Sequence, residues 1–157
     1  MRHADASPAD AGTPDVDRPL NKRGQRDAAH MGRWLRQQGL TPALVISSSA
    51  LRAAGTAAAV IDAGGLDGEV VRQPTLYAAE PDAFFEVLQA VPDDCPTVLV
   101  VAHNPGTEAM VQALTGKAAT LPTGAVAHLT LPIDHWQLLN GDTAARLIQV
   151  ARPRDLG

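Results

Sequence analysis

The run TVLVVAH, Thr97–His103, narrows the fold more than any other stretch of this chain. A continuous β-branched and apolar run with no polar alternation predicts a strand of a parallel sheet, covered on both faces. A parallel strand needs crossover connections, so helices must precede and follow it. The rest of the chain supplies them. Asn21 suits an N-cap, Ala28, Met31 and Leu35 recur at helical spacing, and Gly39 marks the stop. ALVISSS (43–49) reads as a second buried strand. The next helix begins at Leu51, with Leu51, Ala54, Ala58 and Ile61 on one face and Gly64-Gly65 ending it. A weak strand is expected around Val70, a helix over 81–91 with Pro81 in its first turn, and another over Thr107–Leu114 stopped by Gly116.

Two further strands, AVAHLTL and ARLIQVA, are predicted in the tail, with Asn140–Asp142 as a turn between them. Asp5–Asp17, interrupted by Pro and Gly, reads as a loop. Strands alternating with helices predict an α/β fold: a three-layer α/β/α sandwich with a mostly parallel central sheet. The 157 residues show no repeat and no linker, so a single domain over 1–157 is expected.

Ligands of such sheets bind at the carboxyl ends of the strands. SSSALR follows the first clear strand and HNPG the second, and RHA would share that edge if a strand led into it. Arg2, His3, Arg52 and His103 are thereby expected to converge. Two guanidiniums and two imidazoles without clustered carboxylates describe an anion site, not a metal site. Arginine offers a planar fork of donors that matches phosphate oxygens in pairs.

The net charge of −4 argues against a general nucleic-acid binder. It does not argue against a local anion site. Charges ~4 Å apart interact by roughly 4 kcal/mol at an effective dielectric of 20, whereas distant surface charges are screened. The single cysteine, Cys95, excludes an internal disulfide, and it has no evident base beside it. With no apolar run of membrane-spanning length and a polar amino terminus, a cytoplasmic location is expected.

RHADA, DRPLNKRG, LVISSSALRAAGTAA, VLVVAHNPG and LPTGAVAHLTL occur in an order that resembles the histidine phosphatase superfamily. The likeness is greatest to its small SixA-type phosphohistidine phosphatases and runs over nearly the whole chain. It implies a phosphoglycerate mutase-like fold in which His3 is the nucleophile that becomes transiently phosphorylated. Arg2, Arg52 and His103 match the residues that hold the phosphoryl oxygens. It also implies chemistry without a metal or other cofactor, the fixed cations supplying the charge.

The implied substrate is phosphohistidine on a phosphorelay or phosphotransfer protein, acted on by a monomer with no nucleic-acid or membrane partner. Two alternatives stay open. One is a small-molecule phosphomonoesterase with Glu80, or secondly Asp82, as general acid; the plainer role for Glu80 is a carboxylate at a helix N-terminus. The other is a phosphoprotein-binding module without turnover. Arg18 could contact substrate at the pocket mouth or simply be solvated.

Ser47, Ser48 and Ser49 are expected to be turn and capping residues supporting Arg52, because no nucleophile elbow surrounds them. His30, His128 and His135 are expected to be structural or exposed. The basic run Lys22, Arg23, Arg26, Arg33 and Arg36 reads as a solvated helix face. One departure from the family pattern bears on activity. Relatives carry an apolar central strand leading into Arg-His, and here only Met1 precedes it. The first strand is therefore expected to be missing, with His3 deprived of support, and a start placed at an internal Met is the favoured explanation.

Overall fold

The computed structural model describes residues 1–156. Strands β1 (Leu44–Ser48), β2 (Glu69–Gln73) and β3 (Val98–Val101) form a parallel sheet in the order β2-β1-β3. Ile46 sits opposite Val71 on one side and Val100 on the other. Strands β4 (Val126–Thr130) and β5 (Arg146–Ala151) pair antiparallel, with an irregularity between His128 and Leu129. Four helices complete the frame: α1 (Lys22–Gln37), α2 (Leu51–Gly64), α3 (Pro81–Gln89) and α4 (Gly106–Thr115).

Alternate strand residues sort into two cores. Val45, Leu99 and Val101 pack with Met31, Leu35, Ala57 and Val60 of α1 and α2. Ile46 and Ala102 pack with Phe84, Leu88, Met110 and Leu114 of α3 and α4. The three expected layers follow from this alternation. No helix among the described residues is long and apolar enough to cross a membrane.

Local signals are realised with a few shifts. The Asn21 side chain accepts the Gly24 N–H at 2.8 Å, capping α1. Gly116 ends α4 in the left-handed conformation. On α2 the buried face is Ala53, Ala54, Ala57, Val60 and Gly64, not the expected stripe; Leu51 is 42% exposed. An alanine-rich helix has little difference between its faces, and here close contact decides. A Cβ on Gly32 of α1 would lie 2.2 Å from the Val60 carbonyl oxygen, so α1 and α2 touch through backbone where side chains would hold them apart. Asn140–Asp142 does turn, but β4 and β5 are joined by a longer segment that includes a 3-10 turn at Trp136–Leu138.

Residues 1–3 stand between β3 and the start of β4. Arg2 bridges Ala102 in parallel fashion. Ala102 donates its N–H to the Met1 carbonyl at 3.0 Å, and His3 donates to the Ala102 carbonyl at 2.9 Å. On the other side Arg2 donates to the Ala125 carbonyl and Gly124 donates to the His3 carbonyl, both at 3.0 Å. Among the described residues this position in the sheet is held by an isolated bridge at Arg2. The expected loss of support for His3 is corrected, because three residues hydrogen-bonded on both sides hold it.

A cleft of about 610 Å³ lies between the edges of β3 and β4, lined by Met1, Val98, Val100, His128, Leu129 and Trp136 among others. Met1 is buried at its inner end, and its ammonium donates to the Val100 carbonyl at 2.7 Å. Burial lowers the pKa of that amine from 8.0 to about 5. The folded state thus prefers the neutral amine, while the unfolded chain protonates it below about 8. Unfolding therefore takes up a proton across this window, and stability rises as pH climbs from about 5 to 8. In the chain that begins at Met1, urea titrations should show about 2 kcal/mol more stability at pH ~8 than at pH ~6.5. A peptide extension joined to Met1 removes the amine and should flatten that difference; equal pH dependence with and without the extension would contradict this origin.

Candidate functional site

Three chain segments meet at the carboxyl ends of the parallel strands. His3 leaves the short bridged segment, Arg52 lies in the first turn of α2 just after β1, and His103 follows β3. The His3 and His103 ring centroids are 5.0 Å apart. Arg2, Arg52 and Arg18 all lie close enough to His3 to act on its charge. The four residues expected at one rim are brought together there, with Arg18 at the edge.

Each imidazole is held by one hydrogen bond. His3 Nδ1 lies 2.8 Å from the Ala4 carbonyl oxygen. A carbonyl can only accept, so Nδ1 carries the proton and Nε2 of the neutral ring keeps its lone pair. The Ala4 N–H is fixed in turn by the Thr56 hydroxyl of α2 at 2.9 Å, and that hydroxyl donates to the Arg52 carbonyl at 2.7 Å. His103 Nε2 lies 2.7 Å from the Ser48 hydroxyl, both residues being buried. Burial is the main cause that lowers the pKa of both rings from 6.5 to about 4, with the neighbouring cations adding to it. Both rings are neutral at pH 7.

The guanidiniums are partly committed. Arg2 NH1 donates to the Leu121 carbonyl at 3.1 Å. That carbonyl also accepts from Asn104 Nδ2, and Glu108 accepts both the Leu121 N–H and Asn104 Nδ2. Arg52 gives NH1 to the Asp15 carbonyl oxygen at 2.6 Å and NH2 to the Asp15 carboxylate at 2.9 Å. The same carboxylate accepts the Tyr77 hydroxyl at 2.6 Å and Arg18 Nε at 3.0 Å. Tyr77, then Arg52, hold Asp15 well below the usual carboxylate range. Tyr77 packs edge-on to His103 with centroids 5.5 Å apart. What remains is informative. Arg2 Nε, Arg52 Nε and His103 Nδ1 are buried without a hydrogen-bond partner. Buried polar nitrogens are seldom left so, and three of them around His3 suit the oxygens of an oxyanion.

Other candidates fall elsewhere. Glu80 is the exposed N-cap residue of α3, makes no capping bond, and is not tied to His3 by any hydrogen bond among the described residues. Asp82 lies in the first turn of α3 and is exposed. Arg18 is no free surface arginine, since it also donates to the Ser7 carbonyl at 2.8 Å. His135 pairs with Asp93 at 2.8 Å on the surface, and His128 lines the cleft. No group of three or more His, Cys, Asp or Glu side chains among the described residues is arranged to hold a metal ion. Asp15, Tyr77, Asn104 and Glu108 are partners that sequence reading did not assign to the site, and Ser48, expected to support Arg52, meets His103 instead. Asp15 lies within a loop whose sequence gives no hint of its reach to Arg52.

Comparison with known proteins agrees with this arrangement. Residues 1–77 match the model of the histidine phosphatase superfamily, branch 1. An uncharacterized protein of Mycobacterium leprae is 33% identical over 158 residues, covering 92% of this chain and 94% of that protein. Among solved structures, one assigned as a phosphohistidine phosphatase SixA from Nakamurella multipartitia has a TM-score of 0.85 at 31% identity, covering 98% of this chain and 93% of that one. The protein histidine phosphatase SixA complexed with tungstate has a TM-score of 0.85 at 28% identity, covering 100% and 97%. Identity above 30% across nearly the whole of both chains carries more than a shared shape, and the chain belongs to the histidine phosphatase superfamily, in its SixA-like branch.

Proposed function

We propose that this protein is a phosphohistidine phosphatase that works through a phosphorylated intermediate on His3. The observation that carries the reading is the free Nε2 of His3 beside three buried, unpartnered nitrogens on Arg2, Arg52 and His103. In the first step the Nε2 lone pair attacks phosphorus in line and the phosphorus–nitrogen bond of the substrate breaks. The substrate ring, protonated on its other nitrogen, keeps the electron pair of that bond and leaves as neutral imidazole. Water then attacks phosphorus on phospho-His3, releasing inorganic phosphate and restoring the neutral ring. Arg2, Arg52 and His103 hold the phosphoryl oxygens as charge builds on them.

The leaving group favours phosphohistidine over an ester. A phosphohistidine ring protonated on its other nitrogen departs as neutral imidazole, whose conjugate acid has an ordinary pKa of ~6.5, whereas an alkoxide benefits from a positioned acid. The described hydrogen bonds tie no acid to His3: Glu80 is exposed at the head of α3, and Asp15 is held ionised by Tyr77 and Arg52. The substrate is a phosphohistidine-bearing protein of phosphorelay or phosphotransfer type. A SixA relative holds tungstate, an oxyanion of phosphate-like shape.

Four variants and one titration test this. His3→Ala should abolish phosphate release from a phosphohistidine protein; unchanged release would overturn the assignment. Arg52→Lys should lower kcat/KM by about 100-fold, because a lysine offers no fork to serve Asp15 and an oxyanion together; a change within twofold would count against Arg52 as a phosphoryl ligand. Glu80→Gln and Asp82→Asn should each leave phosphohistidine cleavage within about twofold. A large loss of ester hydrolysis in either variant, with esters the better substrates, would favour the phosphomonoesterase instead. NMR titration of the free protein should give His3 and His103 midpoints near the value of about 4 set by burial. Midpoints near 6.5 would contradict the neutral, desolvated pair.

A further inference from the structure

The hydroxyl of Ser48 is buried at the end of β1, with two neighbours and one proton to place. The Ala50 N–H donates to its oxygen at 3.3 Å, and the oxygen lies 2.7 Å from His103 Nε2. Two arrangements are conceivable. If Nε2 carried the ring proton and donated to Ser48, the hydroxyl proton would have no acceptor among the described residues. His103 Nδ1, which has no protein partner, would then turn a lone pair toward the site. If Ser48 instead donates to Nε2, the oxygen accepts from Ala50, its proton goes to Nε2, and the ring proton sits on Nδ1, leaving that Nδ1–H as the single group without a protein partner. The first arrangement leaves both the hydroxyl proton and the Nδ1 lone pair unmatched and the second only the Nδ1–H, so the second is favoured. Serine hydroxyls rotate to suit, and a neutral imidazole takes whichever tautomer its partner demands.

We propose that Ser48 is a positioning residue that fixes the tautomer of His103, so that the Nδ1–H faces the phosphoryl site as a donor. The proposal rests on the phosphatase reading for its consequence but not for its geometry. Ser48 touches neither the nucleophile nor the substrate. It acts through His103, making a neutral ring a preorganised donor where its other tautomer would repel phosphoryl oxygens. The same logic holds at His3 with the opposite purpose. There the Ala4 carbonyl claims the Nδ1 proton so that Nε2 is left bare. One ring is set to donate and its neighbour, 5.0 Å away, to attack.

The test is ¹⁵N NMR of histidine-labelled protein at pH 7 without substrate, with the two site rings assigned from single replacements. His103 should be the Nδ1–H tautomer in the wild type. In Ser48→Ala it should move toward the Nε2–H form or a mixture, while His3 stays Nδ1–H. The variant should also lose about tenfold or more in kcat with KM changed little. An Nε2–H tautomer of His103 in the wild type would overturn the proposal, even if Ser48→Ala failed to fold. So would an unchanged tautomer in that variant. Because the tautomer is read without substrate, its outcome is independent of whether phosphohistidine is the substrate.

Discussion

The backbone pairing of residues 1–3 supports everything that follows from it. Met1, Arg2 and His3 are hydrogen-bonded to Val100 and Ala102 on one side and to Ala125 and Gly124 on the other. Each such bond is worth only about 1 kcal/mol net, but together they fix the direction in which three successive side chains leave the sheet. Met1 goes into the core beneath α1 and α2, and His3 points to the rim where β1 and β3 end. His3 is clamped between the end of β3 and the residues leading into β4.

Electrostatics at the rim follow from a balance that burial sets. Three arginines near two imidazoles would repel one another if the rings were charged. Burial keeps both rings neutral at pH 7, so positive charge stays on the guanidiniums and off the His3 ring. Asp15 completes the balance by engaging Arg52 and Arg18 with one carboxylate and leaving Arg52 Nε free. An acidic chain can therefore carry a strongly cationic pocket, because local contacts outweigh a diffuse −4.

Much of the frame was legible in the residues. The uninterrupted TVLVVAH run, the Asn21 cap and the Gly116 stop are local signals, and local geometry obeys them. That Arg52 and His103 would meet was legible because their segments follow strands whose ends share one edge, whereas Arg2 and His3, with no strand before them, were legible through the family pattern. The buried face of α2 was not, since Ala54 and Ala58 differ in burial only through where α1 and β1 approach them. The partners of the site were also hidden. Ser48 looks like a turn residue until β3 brings His103 beside it, 55 positions away in sequence. Asp15 meets Tyr77 across 62 positions, and nothing in either neighbourhood announces that pairing. The expected loss of support for His3 failed for a related reason. A count of residues before Arg-His measures strand length, whereas support depends on which carbonyls and N–H groups face the residues that remain.

The central claim is covalent: His3 carries the phosphoryl group between substrate and water. Rapid quench of the protein with a ³²P-labelled phosphohistidine protein, followed by alkaline digestion and mass spectrometry, tests it directly. The account predicts transient label, stable in base and lost in acid, on the peptide containing His3. Turnover with label on another residue, or with no labelled enzyme at any time point while the substrate is consumed, would contradict it.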